Sequence, residues 1–314
     1  MIKSTKILTV IVLIISSQWV IAQQLPLFTQ YREYNGIINP ASINSDYLLD
    51  DYHACIGTSL RLQWMGASRN PKTPLIRGEY FNKSYKRNFH ILTGGMLLND
   101  QIGPSSITGF NGRIAVLSSA YPQKGGLCAG LSIGGGQFRL DATSIDFKDK
   151  SDIVENVTVL YPDIGMGIYG YKALTDRNNY LYAGVSIPQV FAPDLRFRNE
   201  TGDFNLQRVR HYYGTVGFYK FVGDRSFWEV SSWIKYVPNT PLQIDINARY
   251  RLKGAFWAGL GLSTAKNVHI ETGYIMDFKS RAFKIGYGYD HSFSSNSTYF
   301  GASHEINLCL LIGR

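Results

Sequence analysis

From Leu242 to Leu252 the chain runs Leu-Gln-Ile-Asp-Ile-Asn-Ala-Arg-Tyr-Arg-Leu, changing character at every step. Successive side chains of a strand point to opposite faces. One face therefore carries Leu242, Ile244, Ile246, Ala248, Tyr250 and Leu252, and the other Gln243, Asp245, Asn247, Arg249 and Arg251. Such a strand needs hydrocarbon on one side and water or polar partners on the other, which is the condition of a membrane-spanning barrel wall. Gln243, Asp245, Asn247, Arg249 and Arg251 are accordingly expected to face the lumen.

The same period recurs to the end of the chain. Ala54, Ile56, Thr58, Leu60, Leu62 and Trp64 oppose Cys55, Gly57, Ser59, Arg61 and Gln63. Phe110, Ile114 and Val116 oppose Asn111 and Arg113, and Val268, Ile270 and Tyr274 oppose His269, Glu271 and Asp277, which adds Glu271 to the lumen-facing set. Phe300, Ala302, Ile306, Leu308 and Leu310 oppose Ser303, Glu305 and Asn307. Segments of this kind lie near 54–64, 74–81, 89–98, 107–117, 127–138, 163–171, 180–188, 208–221, 227–236, 242–252, 255–263, 267–277, 282–290 and 298–310. The expected fold is all-β, a transmembrane antiparallel barrel of about 14 strands over residues 53–314, with both termini periplasmic. The longest connections, 139–162 and 189–207, fall on one side of such a barrel. The tightest, at Lys253-Gly254 and Phe278 to Arg281, fall on the other. Membrane barrels divide their loops in this way. A soluble barrel this wide would have to fill its interior with apolar side chains, whereas here charges and glycine collect on the inward faces.

The N-terminus adds a destination. Lys3 and Lys6 precede an apolar stretch, Ile7 to Ile15, and Val20-Ile21-Ala22 is a small-residue cleavage site, so residues 1–22 are expected to be a signal peptide cut between Ala22 and Gln23. The apolar stretch is shorter than the ~20 residues that span a bilayer. Residues 23–52 lack alternation and contain Pro26, Pro40, Asn35-Gly36 and Asp50-Asp51, which suits either an irregular periplasmic lead-in or a lumen plug. The net charge of +9 drops by two with Lys3 and Lys6, and no basic cluster points to nucleic acid. Cys55, Cys128 and Cys309 are an odd number in distant segments, so they are expected to be small buried or lipid-facing residues rather than a disulfide framework.

Catalytic chemistry finds little support. Asp290-His291 and His304-Glu305 could form acid/base pairs, but neighbours in a strand point apart. Gly134-Gly135-Gly136 and Gly165-x-Gly167 fall inside strands rather than at strand-to-helix turns, so they serve sheet curvature better than phosphate binding. No metal or cofactor is expected.

Several strings, in order, resemble the PorP/SprF family of type IX secretion membrane proteins. They are Gln23-Gln24-x-Pro26-x-Phe28-Thr29-Gln30-Tyr31, Ile38-Asn39-Pro40-Ala41, Arg61-x-Gln63-Trp64-x-Gly66, Asn99-Asp100-x-x-Gly103-Pro104, Gly288-Tyr289-Asp290 and Ser303-His304-Glu305-Ile306. Ser42-Ile43, Arg69-Asn70 and the terminal Arg314 depart from the family pattern. The resemblance implies an outer-membrane component of the secretion and gliding apparatus of Bacteroidota-like bacteria. Its implied partners are an exported surface adhesin and a peptidoglycan-associated periplasmic lipoprotein. The alternatives are a passive diffusion channel lined by Asp245, Arg249, Arg251 and Glu271, and a hydrolase using His291 or His304.

Overall fold

A computed structural model describes residues 28–84, 88–144, 156–174, 179–191, 194–199, 202–223, 225–293 and 300–313. The expected signal peptide and its Ala22/Gln23 cleavage point lie outside the described residues. The strands are β1 (Ala54–Leu62), β2 (Lys72–Asn82), β3 (Phe89–Ile102), β4 (Ser105–Ser118), β5 (Gly125–Leu140), β6 (Val157–Ala173), β7 (Tyr180–Ile187), β8 (Asp194–Asn199), β9 (Gly202–Gln207), β10 (Tyr212–Gly223), β11 (Ser226–Tyr236), β12 (Gln243–Leu252), β13 (Phe256–Ser263), β14 (Asn267–Asp277), β15 (Arg281–Ser292) and β16 (Ser303–Ile312). All but β8 and β9 form one closed antiparallel barrel of fourteen strands, in which each strand pairs with its neighbour in the chain and β1 closes against β16. Closure leaves no unpaired edge, as a strand structure in hydrocarbon requires.

Alternation becomes burial. On β12 the outward Ile246 and Leu252 are 58% and 42% exposed, while Asp245, Asn247, Arg249 and Arg251 are buried inside the wall. Ile56, Ile76, Phe110, Ile114, Val185, Leu260, Ile270 and Ile306 continue the apolar exterior around the ring. An apolar surface this extensive is unsuited to water and matches the acyl chains of a bilayer.

The two ends differ. On one side β2–β3, β4–β5, β6–β7, β10–β11, β12–β13 and β14–β15 are joined by the short connections 83–88, 119–124, 174–179, 224–225, 253–255 and 278–280. At 252–255 Lys253 and Gly254 take φ of 49° and 72°, and the Ala255 N–H donates to the Leu252 carbonyl at 3.0 Å. This is a two-residue reverse turn whose twist matches that of the strands it joins. The other side carries the long connections 141–156 and 188–211, as well as the short turns 103–104 and 264–266.

Several expectations need correction. The 189–207 connection contains the β8–β9 hairpin, paired from Asp194↔Gln207 to Asn199↔Gly202. The connection expected at 139–162 shortens to 141–156, because β5 and β6 stay in register out to Leu140↔Val157. The last strand starts at Ser303, not 298; Gly301, at φ 72°, turns the chain just before it. Cys55 and Cys309 are joined by a disulfide across the β1–β16 seam, with Cα atoms 6.4 Å apart. Only closure of the ring makes these residues, 254 apart in sequence, neighbours. Cys128 is a buried free thiol.

Candidate functional site

Residues 28–52 run through the barrel interior. A 3-10 turn (Tyr31–Tyr34) and two single helical turns (Asn35–Ile38 and Ser45–Leu48) are their regular structure. The path begins at the long-connection mouth. There the Thr29 N–H donates to Glu305 at 2.7 Å and the Thr29 hydroxyl to Asp290 at 2.6 Å. It ends at the short-turn rim, where the His53 N–H donates to the Ile312 and Gly313 carbonyls. Phe28 therefore stands at the end opposite that where β16 finishes.

The waist of the lumen holds this segment by ion pairs. Arg32 pairs with Glu271 of β14 and, at 3.6 Å, with Glu229 of β11. Glu33 meets Lys284 at 2.6 Å, Arg249 at 3.4 Å and Arg77 at 3.8 Å. Lys284 also holds Asp46 at 3.1 Å, and Arg251 holds Asp50 at 2.6 Å. Burial works to raise the Glu33 pKa, but Lys284, Arg249 and Arg77 outweigh it and hold the carboxyl at about 2. For Asp46 burial prevails over Lys284, and its pKa is raised. Each buried charge has an opposite partner, as charges withdrawn from water require.

Close backbone packing completes the fit. Asn39 donates to the Ile168 and Val185 carbonyls at 3.0 and 3.4 Å and accepts from the Ala41 N–H at 2.9 Å. A Cβ at Gly167 or Gly184 would collide with the Asn39 side chain, and one at Gly165 with Ser132 and Pro188, so Gly167 makes room for this segment and Gly165 for close packing of the wall rather than for a phosphate. Arg113 donates to the Pro40 carbonyl at 3.1 Å and the Ser42 carbonyl at 2.9 Å.

Towards the short-turn rim the interior changes character. Ile43, Tyr47 and Tyr52 pack with Phe81, Leu92, Leu117, Tyr171, Tyr219, Phe227, Trp257, Ile275 and Leu311 in one apolar cluster. The polar lining expected from sequence therefore does not extend to this end. Near these turns both strand faces are apolar, so alternation there does not distinguish lumen from lipid.

The residues singled out by sequence fall into separate places. Gln30, Arg61, Asp290 and Glu305 meet at the mouth, where Arg61 lies 2.5 Å from Asp290 and 3.5 Å from Glu305. Asn39 and Pro40 sit in the interior segment. Gln63 and Trp64 line the mouth with Asp245, His269 and Lys235; Lys235 pairs with Asp245 at 2.5 Å. Gln243 is half-buried beside Asp245, Asn247 is buried against His269, and Arg249, Arg251 and Glu271 belong to the waist. Asp100, at the inward parity of Leu98, accepts from buried Thr73 at 2.7 Å, whereas Asn99, at outward parity, donates to Thr108 at 2.7 Å and Gly103, at φ 56°, makes the β3–β4 turn. Tyr289 and His304 face each other on the outer wall, 5.4 Å between rings, while Glu305 faces inward, so His304 and Glu305 do not form a pair. His291 lies against Phe293. Arg113, already placed on the inward face by alternation, joins the network, whereas Arg32, Glu33, Asp46, Arg77, Glu79, Glu229 and Lys284 carry much of it and were missed. For the wall residues the available signal was a lone charge at inward parity, as in Trp228-Glu229-Val230 and Phe283-Lys284-Ile285.

Comparison with known proteins agrees with this architecture. The toluene transporter TodX of Pseudomonas putida superposes with a TM-score of 0.54 at 10% identity, covering 89% of this chain and 94% of that one. A TodX deltaS2S3 mutant, described as a monoaromatic hydrocarbon channel, gives 0.58 at 10% identity, covering 89% and 94%. A Pseudomonas aeruginosa FadL homologue gives 0.52 at 8% identity, covering 88% and 93%. At such identities the likeness shows the barrel fold alone. No curated protein matches the sequence. The profile of one family, described as "Type IX secretion system membrane protein PorP/SprF", matches residues 20–310.

Proposed function

Because the chain belongs to the PorP/SprF family of type IX secretion system membrane proteins, we propose that this outer-membrane barrel serves the secretion and gliding apparatus as a filled scaffold rather than as an open pore. The observation that carries the proposal is the interior segment: residues 28–52 are tied by buried ion pairs to β2, β11, β12, β14 and β15 and by hydrogen bonds to β4, on opposite sides of the ring. The segment acts as a plug, and transport through the lumen would have to break that network. In this reading residues 1–22 are removed at Ala22/Gln23 and the short turns face the periplasm, where a peptidoglycan-associated lipoprotein docks. The mouth with its long connections 141–156 and 188–211 faces outward and supports export or anchoring of a surface adhesin. The chain is not an enzyme.

Planar-bilayer recording tests the core of this reading. The intact barrel is expected to stay silent, and deletion of residues 28–52 to produce steady conductance. Conductance from the intact protein would instead favour the diffusion channel. Gentle detergent extraction is expected to retrieve a large secreted adhesin or a periplasmic lipoprotein; repeated recovery of the barrel alone counts against the scaffold.

A further inference from the structure

Register singles out one part of the outer wall. Lys72 of β2 lies opposite Gln101 of β3, Gln101 opposite Ser106 of β4, and Ser106 opposite Arg139 of β5. The outward parity of these strands is fixed by Ile76, Leu97, Phe110 and Ile133, which are 58%, 50%, 62% and 66% exposed. Lys72, Gln101, Ser106 and Arg139 share that parity. They form a polar row across four adjacent strands at the long-connection end, above the apolar rows of the same wall.

A second row, Asn99, Thr108 and Gln137, lies directly below it. Beneath that come Leu97 and Phe110, opposite each other. The wall thus passes over a few residues from cationic and hydrogen-bonding to apolar. A cleft of about 630 Å³ opens at the top of the row, lined by Ser68, Arg69, Asn70, Ser105 and Asp141 together with Lys72 and Arg139. Lys72 and Arg139 are exposed and have no ion pair among the described residues.

We propose that this face binds a phosphorylated glycolipid headgroup of the outer leaflet, of the lipid A type. Lys72 and Arg139 meet the phosphate, the Gln101 and Ser106 side chains meet sugar hydroxyls, and acyl chains lie on Leu97, Phe110, Ile76 and Ile133. Arg supplies planar paired donors to phosphate oxygens and Lys a point charge. The apolar rows below place the headgroup at the membrane boundary, where basic side chains attract anionic lipid. The choice of the outer leaflet rests on the orientation proposed above.

The test uses barrel refolded from denaturant, and so free of native lipid, titrated with bisphosphorylated lipid A and, separately, with phosphatidylglycerol, bound lipid being read by native mass spectrometry. Lipid A is expected to be retained by the wild type. Retention should fall about thirtyfold in the double variant Lys72→Gln/Arg139→Gln and stay unchanged in Lys172→Gln/Lys220→Gln, whose cations lie at the other rim. Heat-modifiable gel mobility shows that each variant is folded. Equal retention by the first double variant, or phosphatidylglycerol held as firmly as lipid A, overturns the proposal. Orientation is read independently by labelling intact cells with an impermeant maleimide at Lys266→Cys and Lys253→Cys. Labelling only at position 253 would refute the orientation and with it the outer-leaflet assignment, whereas unequal retention by the two double variants tests the binding face by itself.

Discussion

The waist of the lumen and its short-turn end enclose the same segment by different means. At the waist, Arg32 and Glu33 are held by Glu229, Glu271, Lys284 and Arg249; at the short-turn end, Ile43, Tyr47 and Tyr52 sink into rings of Phe81, Phe227 and Trp257. Apolar packing excludes water and tolerates small rearrangements. Buried charges admit few arrangements, since a displaced partner leaves its mate unpaired. One end therefore seals, and the other fixes which residue sits against which.

The sharpest way to break this contrast is to remove one charge at the waist. Glu229→Ala takes from Arg249 its partner at 2.7 Å, leaving Glu33 at 3.4 Å, and from Arg32 one of its two carboxylates, and is expected to cost about 3 kcal/mol in denaturant unfolding from lipid. A cost below about 1 kcal/mol would mean that water already reaches the waist. At the sealed end, Phe81→Ala is expected to cost about 3 kcal/mol, with no dependence on pH. On the outer wall Ile246→Arg places a charge in hydrocarbon and is expected to cost about 2 kcal/mol in the same assay.

Acid distinguishes the two ends without mutation. The Glu33 carboxyl, ordinarily at 4.5, is held at about 2, so its contribution is present above 4.5 and is lost as pH falls from there through about 2. Conductance or protease sensitivity should therefore rise over that window, and Glu33→Gln should flatten the rise; an unchanged profile in the variant would remove Glu33 from the mechanism. The smallest expected effect is that of Tyr47→Phe, which deletes the 3.2 Å hydrogen bond to Glu79 and should cost about 1 kcal/mol in unfolding.

The wall was legible in the sequence because a bilayer imposes period two on every strand it touches. The β12 and β14 patterns and the Lys253-Gly254 turn needed nothing beyond that rule. It failed where its cause is absent. At Asn99–Ile102 the residues look like a turn, yet β3 continues because Thr73 and Thr108 take up Asp100 and Asn99. Pro162 obscured the start of β6. Residues 28–52 obey no period, since their conformation is set by wall residues far along the chain: Thr29 finds Glu305 and Asp46 finds Lys284. Arg61, Asp290 and Glu305 could be picked out as resembling a family motif, but their meeting at the mouth came only with closure of the ring.

That closure is also covalent. Because the Cys55–Cys309 bond spans the junction of first and last strands, the wall is a hoop with a riveted joint. Prying it apart there means reducing a bond as well as unzipping a ladder, so a wall that opens does so first between some other pair of staves.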